Sequence, residues 1–474
     1  MPVIAADSTN YNMFGNPVGS QIRGYQTIVP FPDLSHAPRA VRVTMQMQGE
    51  LGSQCLASLF ASTTIKPAMN EYFPSTGTSR RLLALDGLRG LAALLVVFFH
   101  IGWPNHLTTN NFVVNGYLSV DLFFIMSGFI IVRNYGAKIA NTGNLANFIC
   151  LRFFRVYPLH FFVLAVLVCL ELAKLFMQGA LPTPSEQAPF SGNTSISALI
   201  ANLFLVQGLH VLKETSWNVP SWTISSEFAA YLVFGVLAGS GLMRRKLFFP
   251  CALVVGGLAY VGLALERGGL DITYDWGVVR CLAGFFLGAT VMLPREFEKD
   301  RRLQLPMHIA AVASVIAIVL VMSLAHGWEV VLVIPAFVAA VGLLQTDQGP
   351  AARVLMHPFV QFLGRISYSI YMVQYVTILV LTISVKRLFK VALTTDPVTH
   401  KFIILINPWI GDALVLVSVL AIVLIAQLTY SWIESPARAF GRRLTGWSVR
   451  GPGRFRQCSG DGAAEREAAT PVQR

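Results

Sequence analysis

Charge is what this chain has least of. Asp, Glu, Lys and Arg make up 13% of its 474 residues, about half the share of an ordinary soluble domain. Hydrophobic residues make up 54%, and no polar interval between Leu82 and Ile433 is long enough to hold a soluble domain. A string of soluble modules is therefore excluded, and the membrane is the solvent that suits such a chain. Cysteine is scarce as well. Cys55, Cys150, Cys169, Cys251, Cys281 and Cys458 are scattered without metal-ligand spacing, which argues against a metal centre and against a disulfide framework. The first ten residues lack a basic stretch followed by an apolar one, so no signal peptide is read there. Also missing is a contiguous basic face interleaved with aromatic residues. The net charge of +12 is concentrated instead at the ends of apolar runs, as Arg80/Arg81, Arg152/Arg155, Arg244/Arg245/Lys246, Arg301/Arg302 and Arg442/Arg443. That is the pattern of positive-inside topology and not of a nucleic-acid partner.

What is present is a succession of apolar runs of membrane-spanning length. They predict an all-α fold, a polytopic membrane helical bundle of about ten transmembrane helices. The spans fall at roughly 82–102, 114–133, 156–178, 219–241, 247–265, 277–294, 306–325, 328–344, 362–385 and 408–433. An eleventh run, 196–212, is predicted to be a re-entrant or interfacial element: if it crossed, the loop Arg244/Arg245/Lys246 would fall outside. Both termini are then cytoplasmic. The loop from Lys386 to Lys401 fits this topology poorly, being basic yet placed outside. Residues 1–79 read as a cytoplasmic, partly disordered extension, 80–443 as the membrane domain and 444–474 as a disordered basic tail. Asn193-Thr-Ser forms a glycosylation sequon, a triplet common by chance.

Ionisable residues inside apolar spans are the functional candidates in such a protein. Arg89 and His100 lie eleven residues apart in one span, hence on nearly the same helix face and separated by roughly 16 Å along the axis. Their structural alternative is two polar residues each reaching an interface. Asp86 and Arg89 are three apart and can pair. Asp121 lies deep in its span and needs a cationic partner. Arg152 and Arg155 share a face, and two guanidinium groups together suit a phosphate, although topology alone would also place them there. Glu227 lies several residues inside its span with Tyr231 one turn on, while Trp217 and Trp222 suit an interface belt. Arg280 precedes Gly284 and Gly288, a spacing that permits close helix packing.

These residues carry a resemblance. Leu85-Asp86-Gly-Leu-Arg89-Gly with His100, then Ser119-Val-Asp121-Leu-Phe-Phe-Ile-Met-Ser127-Gly-Phe129, resembles the opening of membrane-bound acyltransferase family 3. The likeness continues through Arg152-x-x-Arg155-x-Tyr-Pro, Pro220-Ser-Trp-x-Ile-Ser-x-Glu227 and Phe362-Leu-Gly-Arg-Ile-Ser-Tyr368-Ser-Ile-Tyr371, and closes on Ile433-Glu434-x-Pro436. One position departs from the pattern, with Gln374 where the family commonly carries histidine. The resemblance implies O-acylation, usually acetylation, of a carbohydrate or a glycosylated or secreted acceptor. The donor it implies is cytoplasmic acyl-CoA, acetyl-CoA being the usual one, with no metal. Arg89 and His100 match the family's essential pair, and Arg152 and Arg155 its basic doublet.

The implied chemistry needs a base for the hydroxyl, donors for the oxyanion and a grip on the CoA phosphates. His100 is the natural base. Arg89, Arg152 and Arg155 are assigned to the donor phosphates, Glu227 and Asp121 to orienting roles in catalysis, and Trp222, Ser225 and Tyr231 to the acceptor. Direct transfer is expected. An acyl-enzyme on His100 or Ser127 stays open, although Ser127 has no neighbouring base at helical spacing. The rival reading is a secondary transporter using the same buried charges, and a third is a scaffold without chemistry. Neither an internal repeat nor evenly spread polar motifs support the transporter. The expected location is the bacterial inner membrane.

Overall fold

A computed structural model of the chain describes residues 81–142, 144–178, 188–291, 301–390, 393–395, 402–404 and 406–446. The expected extension, 1–79, lies outside the described residues, as do residues 447–474 of the tail. Among the described residues nine helices are long and apolar enough to cross a membrane, and Gly277–Ala289 is a shorter apolar one. A small antiparallel pair, Leu393–Thr395 with Phe402–Ile404, is the exception to the helical rule. Its first strand falls in the interval from Lys386 to Lys401 that the topology fitted poorly, and its second follows directly after it. The outward faces are greasy: Val255, Leu258 and Leu265 on one helix are each more than 60% exposed. Water would penalise such a surface and hydrocarbon does not, so the chain is an integral membrane protein.

The helices that matter most for the site are α1 (Leu83–His100), α2 (Ser119–Thr142), α3 (Leu145–Gln178), α4 (Ile196–Leu203), α5 (Trp222–Gly239), α6 (Phe248–Arg267), α7 (Gly277–Ala289), α8 (Pro358–Phe389) and α9 (Pro408–Thr429). Helix α1 lies directly on α8. A Cβ on Gly90 would come within 2.4 Å of the Gly364 nitrogen, and one on Gly364 within 2.2 Å of the Asp86 carbonyl, so only glycine permits the approach. The same is true of α2 and α7, where Gly128 meets the Phe285 carbonyl and Gly288 that of Ile125. The glycine spacing in α7 thus serves close packing. Helices α1 and α8 run the same way: Gly90 backs Gly364, and farther along Trp103 Nε1 donates to Thr382 Oγ1 at 3.2 Å.

The predicted re-entrant element has a clear form. Helix α4 has eight residues, a rise of roughly 12 Å, well short of the ~30 Å of hydrocarbon. Turns follow it, with left-handed backbone at Leu205, His210 and Trp217. Trp217 then returns to the start, its backbone nitrogen donating to Asn193 O at 3.1 Å and its Nε1 to Ser195 O at 3.2 Å. The segment therefore begins and ends on one side. Polar side chains of α5 and of its lead-in hold it: Ser225 Oγ donates to Leu205 O at 2.7 Å and accepts from Gly208 N at 3.1 Å, while Ser221 Oγ donates to Asn202 Oδ1 at 3.2 Å.

After α9 the helix continues through a π turn, Tyr430–Glu434, into α10 (Ser435–Thr445). The extra residue of a π turn shifts the register of the following face. Here it buries Glu434, which accepts from Ser369 Oγ at 2.8 Å and from Arg438 at 3.3 Å.

Candidate active site

A cavity of about 550 Å³ opens among α1, α2, α3, α5, α8 and α10. Arg81, Arg89, Arg133, Arg152, Arg155, Arg365 and Arg438 line it, against the carboxylates of Asp86 and Glu227. Asp86 divides its oxygens between two of these cations, Arg81 Nε at 2.6 Å and Arg89 Nη2 at 2.7 Å. Arg89 is fixed further by Ser367 Oγ at 3.0 Å, a hydrogen bond that depends on the glycine approach between α1 and α8. Arg152 stacks over the Tyr135 ring at 4.8 Å and donates to its hydroxyl at 2.8 Å, yet its Nε is buried without a hydrogen-bond partner among the described residues. Arg155 makes no hydrogen bond or ion pair with any described residue; Glu434 and Glu227 act on it only through space. A cavity holding guanidinium groups with unused donors is built for a multiply charged anion.

Farther in, three side chains from two helices meet. Ser127 Oγ donates to Glu227 Oε1 at 2.5 Å, and Tyr231 OH donates to the same oxygen at 2.6 Å. Glu227 and Tyr231 stand four residues apart on α5, and Ser127 comes from α2. Spacing along α2 gave Ser127 no base; the tertiary fold supplies one from another helix. Beyond this group the lining turns apolar, with Val120, Phe123, Phe124 and Tyr371.

The remaining predicted residues sit elsewhere. His100 ends α1, half-buried, and is not among the residues that line the cavity. Its Nδ1 lies 2.8 Å from the Val96 carbonyl. A carbonyl only accepts, so Nδ1 carries the proton and the lone pair of the neutral ring is on Nε2. Asp121 also lies outside the lining. It is fully buried and accepts from Arg280 Nε at 2.7 Å, Arg280 Nη2 at 2.6 Å and Tyr260 OH at 2.9 Å. This answers its need for a cation with Arg280. Trp222 packs on Phe124 with ring centroids 6.1 Å apart and lies 5.9 Å from the Arg280 guanidinium. Ser225 holds the re-entrant segment. Of the three residues assigned to the acceptor, Tyr231 alone lines the cavity.

Several lining residues were not singled out by their sequence context, among them Arg133, Asn134, Tyr135, Arg365, Tyr430 and Arg438. Arg365 stands inside a recognised motif, and Arg438 lies one turn after Glu434. Nothing in the sequence marks Arg133 or Tyr430 as sharing one cavity. Among the described residues no group of three or more His, Cys, Asp or Glu is placed to hold a metal ion.

Helices able to cross a bilayer, with an arginine-lined cavity sunk between them, define a polytopic membrane protein with a cationic internal cavity. The chain belongs to membrane-bound acyltransferase family 3: a family model described as an acyltransferase domain matches residues 82–428. It is accordingly a membrane acyltransferase of the O-acyl or O-acetyl type. It is 27% identical over 314 residues to a protein of Komagataeibacter xylinus named as a membrane-bound transacylase, BcsY, covering 64% of this chain and 73% of that one. Over 172 residues it is 32% identical to the acyltransferase MdmB of Streptomyces mycarofaciens, covering 32% and 38% of the two chains. Over 394 residues it is 20% identical to a protein of Staphylococcus aureus named as an O-acetyltransferase, covering 78% and 59%. No solved structure matches.

Proposed function

We propose that this protein moves an acyl group, acetyl in the first instance, from acyl-CoA to a hydroxyl of a carbohydrate or glycosylated acceptor. The observation that carries this reading is the arginine-lined cavity, in which Arg155 has no ion-pair partner among the described residues. CoA presents a pyrophosphate and a further phosphate, and guanidinium groups match that geometry. Arg89, Arg152 and Arg155 hold these groups, and the apolar end of the cavity receives the pantetheine arm. The arginine end faces the cytoplasm, where acyl-CoA is found. Arg244, which donates to the Ala140 carbonyl at the end of α2, belongs to the same end, in keeping with positive-inside topology. Both termini are then cytoplasmic, in a bacterial inner membrane.

His100 acts as general base. The acceptor hydroxyl gives its proton to Nε2 and its oxygen attacks the thioester carbonyl. The new C–O bond forms, the C–S bond breaks, and the CoA thiolate takes the proton back from the imidazolium. Glu227 keeps Ser127 and Tyr231 in place at the arginine end of the arm's path.

The Arg152→Ala/Arg155→Ala double variant tests the donor site. Its half-saturating acetyl-CoA concentration is expected to rise by about ten- to a hundredfold for each charge-assisted hydrogen bond removed. Unchanged donor affinity would exclude both arginines from the site. The 2.5 Å hydrogen bond between Ser127 and Glu227 favours a second route. In it Ser127 Oγ attacks the thioester, Glu227 takes its proton and CoA thiolate leaves, giving an acyl ester on the protein. Label from acetyl-CoA that stays on the protein without acceptor, and is absent in Ser127→Ala, decides for this route. No retained label in the wild type decides for direct transfer.

A further inference from the structure

A group of buried side chains near the re-entrant segment has hydrogen-bond acceptors left over. Gln207 Oε1, Asn218 Oδ1, Gln374 Oε1 and His160 Nδ1 are all buried and unpaired within the described residues. Their residues are each at most 3% exposed. The other end of every one is already committed. Asn218 Nδ2 donates to Met372 O at 3.1 Å, Gln374 Nε2 to Tyr371 O at 3.2 Å, Gln207 Nε2 to Ser221 O at 3.1 Å, and His160 Nε2 to Asn202 O at 3.0 Å. What is left is therefore four acceptors, together with the second N–H of the Asn218 and Gln374 amides, an arrangement suited to hydroxyl groups, which both donate and accept.

The amides of Asn218 and Gln374 grip consecutive carbonyls of α8, so they are neighbours. Tyr371 joins the two segments, its hydroxyl donating to Pro220 O at 3.3 Å, and it also lines the donor cavity. The group thus begins directly behind the apolar end of that cavity. Depth is fixed by the parallel pair α1 and α8. Gln374 lies ten residues beyond Gly364, and His100 ten beyond Gly90, the two glycines that touch. Gln374, and with it Asn218, therefore lies at the level of His100 in the bundle.

We propose that Asn218, Gln374 and Gln207 form the acceptor subsite, taking hydroxyl protons of a polyhydroxylated ligand, a sugar by class. This rests on the acyl-CoA transfer reading above. It also gives Gln374 a part that a protonated histidine at that position could not play, since an amide oxygen accepts.

The test uses membranes of the native host, which hold the acceptor, with radiolabelled acetyl-CoA as the probe. Gln374→Met and Asn218→Leu keep side-chain size and remove the acceptor atoms. Incorporation into the lipid and glycan fraction is expected to fall by roughly five- to tenfold for each hydrogen bond removed. The half-saturating acetyl-CoA concentration should stay at the wild-type value, while the lost amide donations to Met372 O and Tyr371 O lower the melting temperature by only a few degrees. Wild-type incorporation in Gln374→Met overturns the subsite, as does a fall explained entirely by weaker donor binding. Should Asn218→Leu fail to fold, Gln374→Met alone decides. Wild-type membranes that bind and transfer no label overturn the donor reading, and the subsite with it.

Discussion

The His100→Ala variant is expected to reduce acyl transfer by about 10²–10⁴-fold, the usual contribution of a positioned general base. Protein level and acetyl-CoA binding should stay near normal. The reason lies in its placement. His100 is the last residue of α1 and half-buried, at the helix end rather than among the fully buried core residues. It stands roughly 16 Å along the axis from Arg89, which lines the donor cavity, so the phosphate grip is untouched. Initial rates of label transfer at saturating donor, read beside a donor-binding isotherm, separate the two effects. Full activity in this variant would end the base assignment.

A second large effect is expected at a residue that the sequence offered as catalytic. Asp121→Ala should destabilise the protein by about 3–5 kcal/mol, because it strands Arg280 as an uncompensated buried charge. Both partners are at most 1% exposed, and three hydrogen bonds converge on the carboxylate. Thermal unfolding in detergent should show the destabilisation directly. Replacing the whole pair, as Asp121→Leu with Arg280→Met, is expected to recover much of it, since an apolar pair avoids the desolvation cost. A well-folded Asp121→Ala protein deficient only in activity would restore a catalytic role instead.

The two cases show which features are readable before the fold is known. Span lengths follow from hydropathy, a one-dimensional property, so the helical bundle and the non-crossing segment at 196–212 could be read directly. The pairing of Asp86 with Arg89 was equally accessible, being a matter of three residues on one helix. Interactions between helices were not. Sequence spacing says that Asp121 needs a cation, but only packing supplies Arg280 from another helix. Likewise Ser127 meets Glu227 across a hundred residues of sequence, and the π turn that presents Tyr430 and Arg438 has no local signature. The leftover acceptors at Asn218 and Gln374 are subtler still, since an unpaired atom is visible only once every neighbour is in place.

The central claim is that the arginine-lined cavity receives acyl-CoA for transfer to a hydroxyl. The most direct measurement follows label from radiolabelled acetyl-CoA into the lipid and glycan fraction of native-host membranes, with and without the protein. Label should appear only with the protein and should fall sharply in the Arg152→Ala/Arg155→Ala variant at subsaturating donor. No incorporation across a series of acyl chain lengths, or substrate flux driven by a gradient without CoA, would contradict the claim.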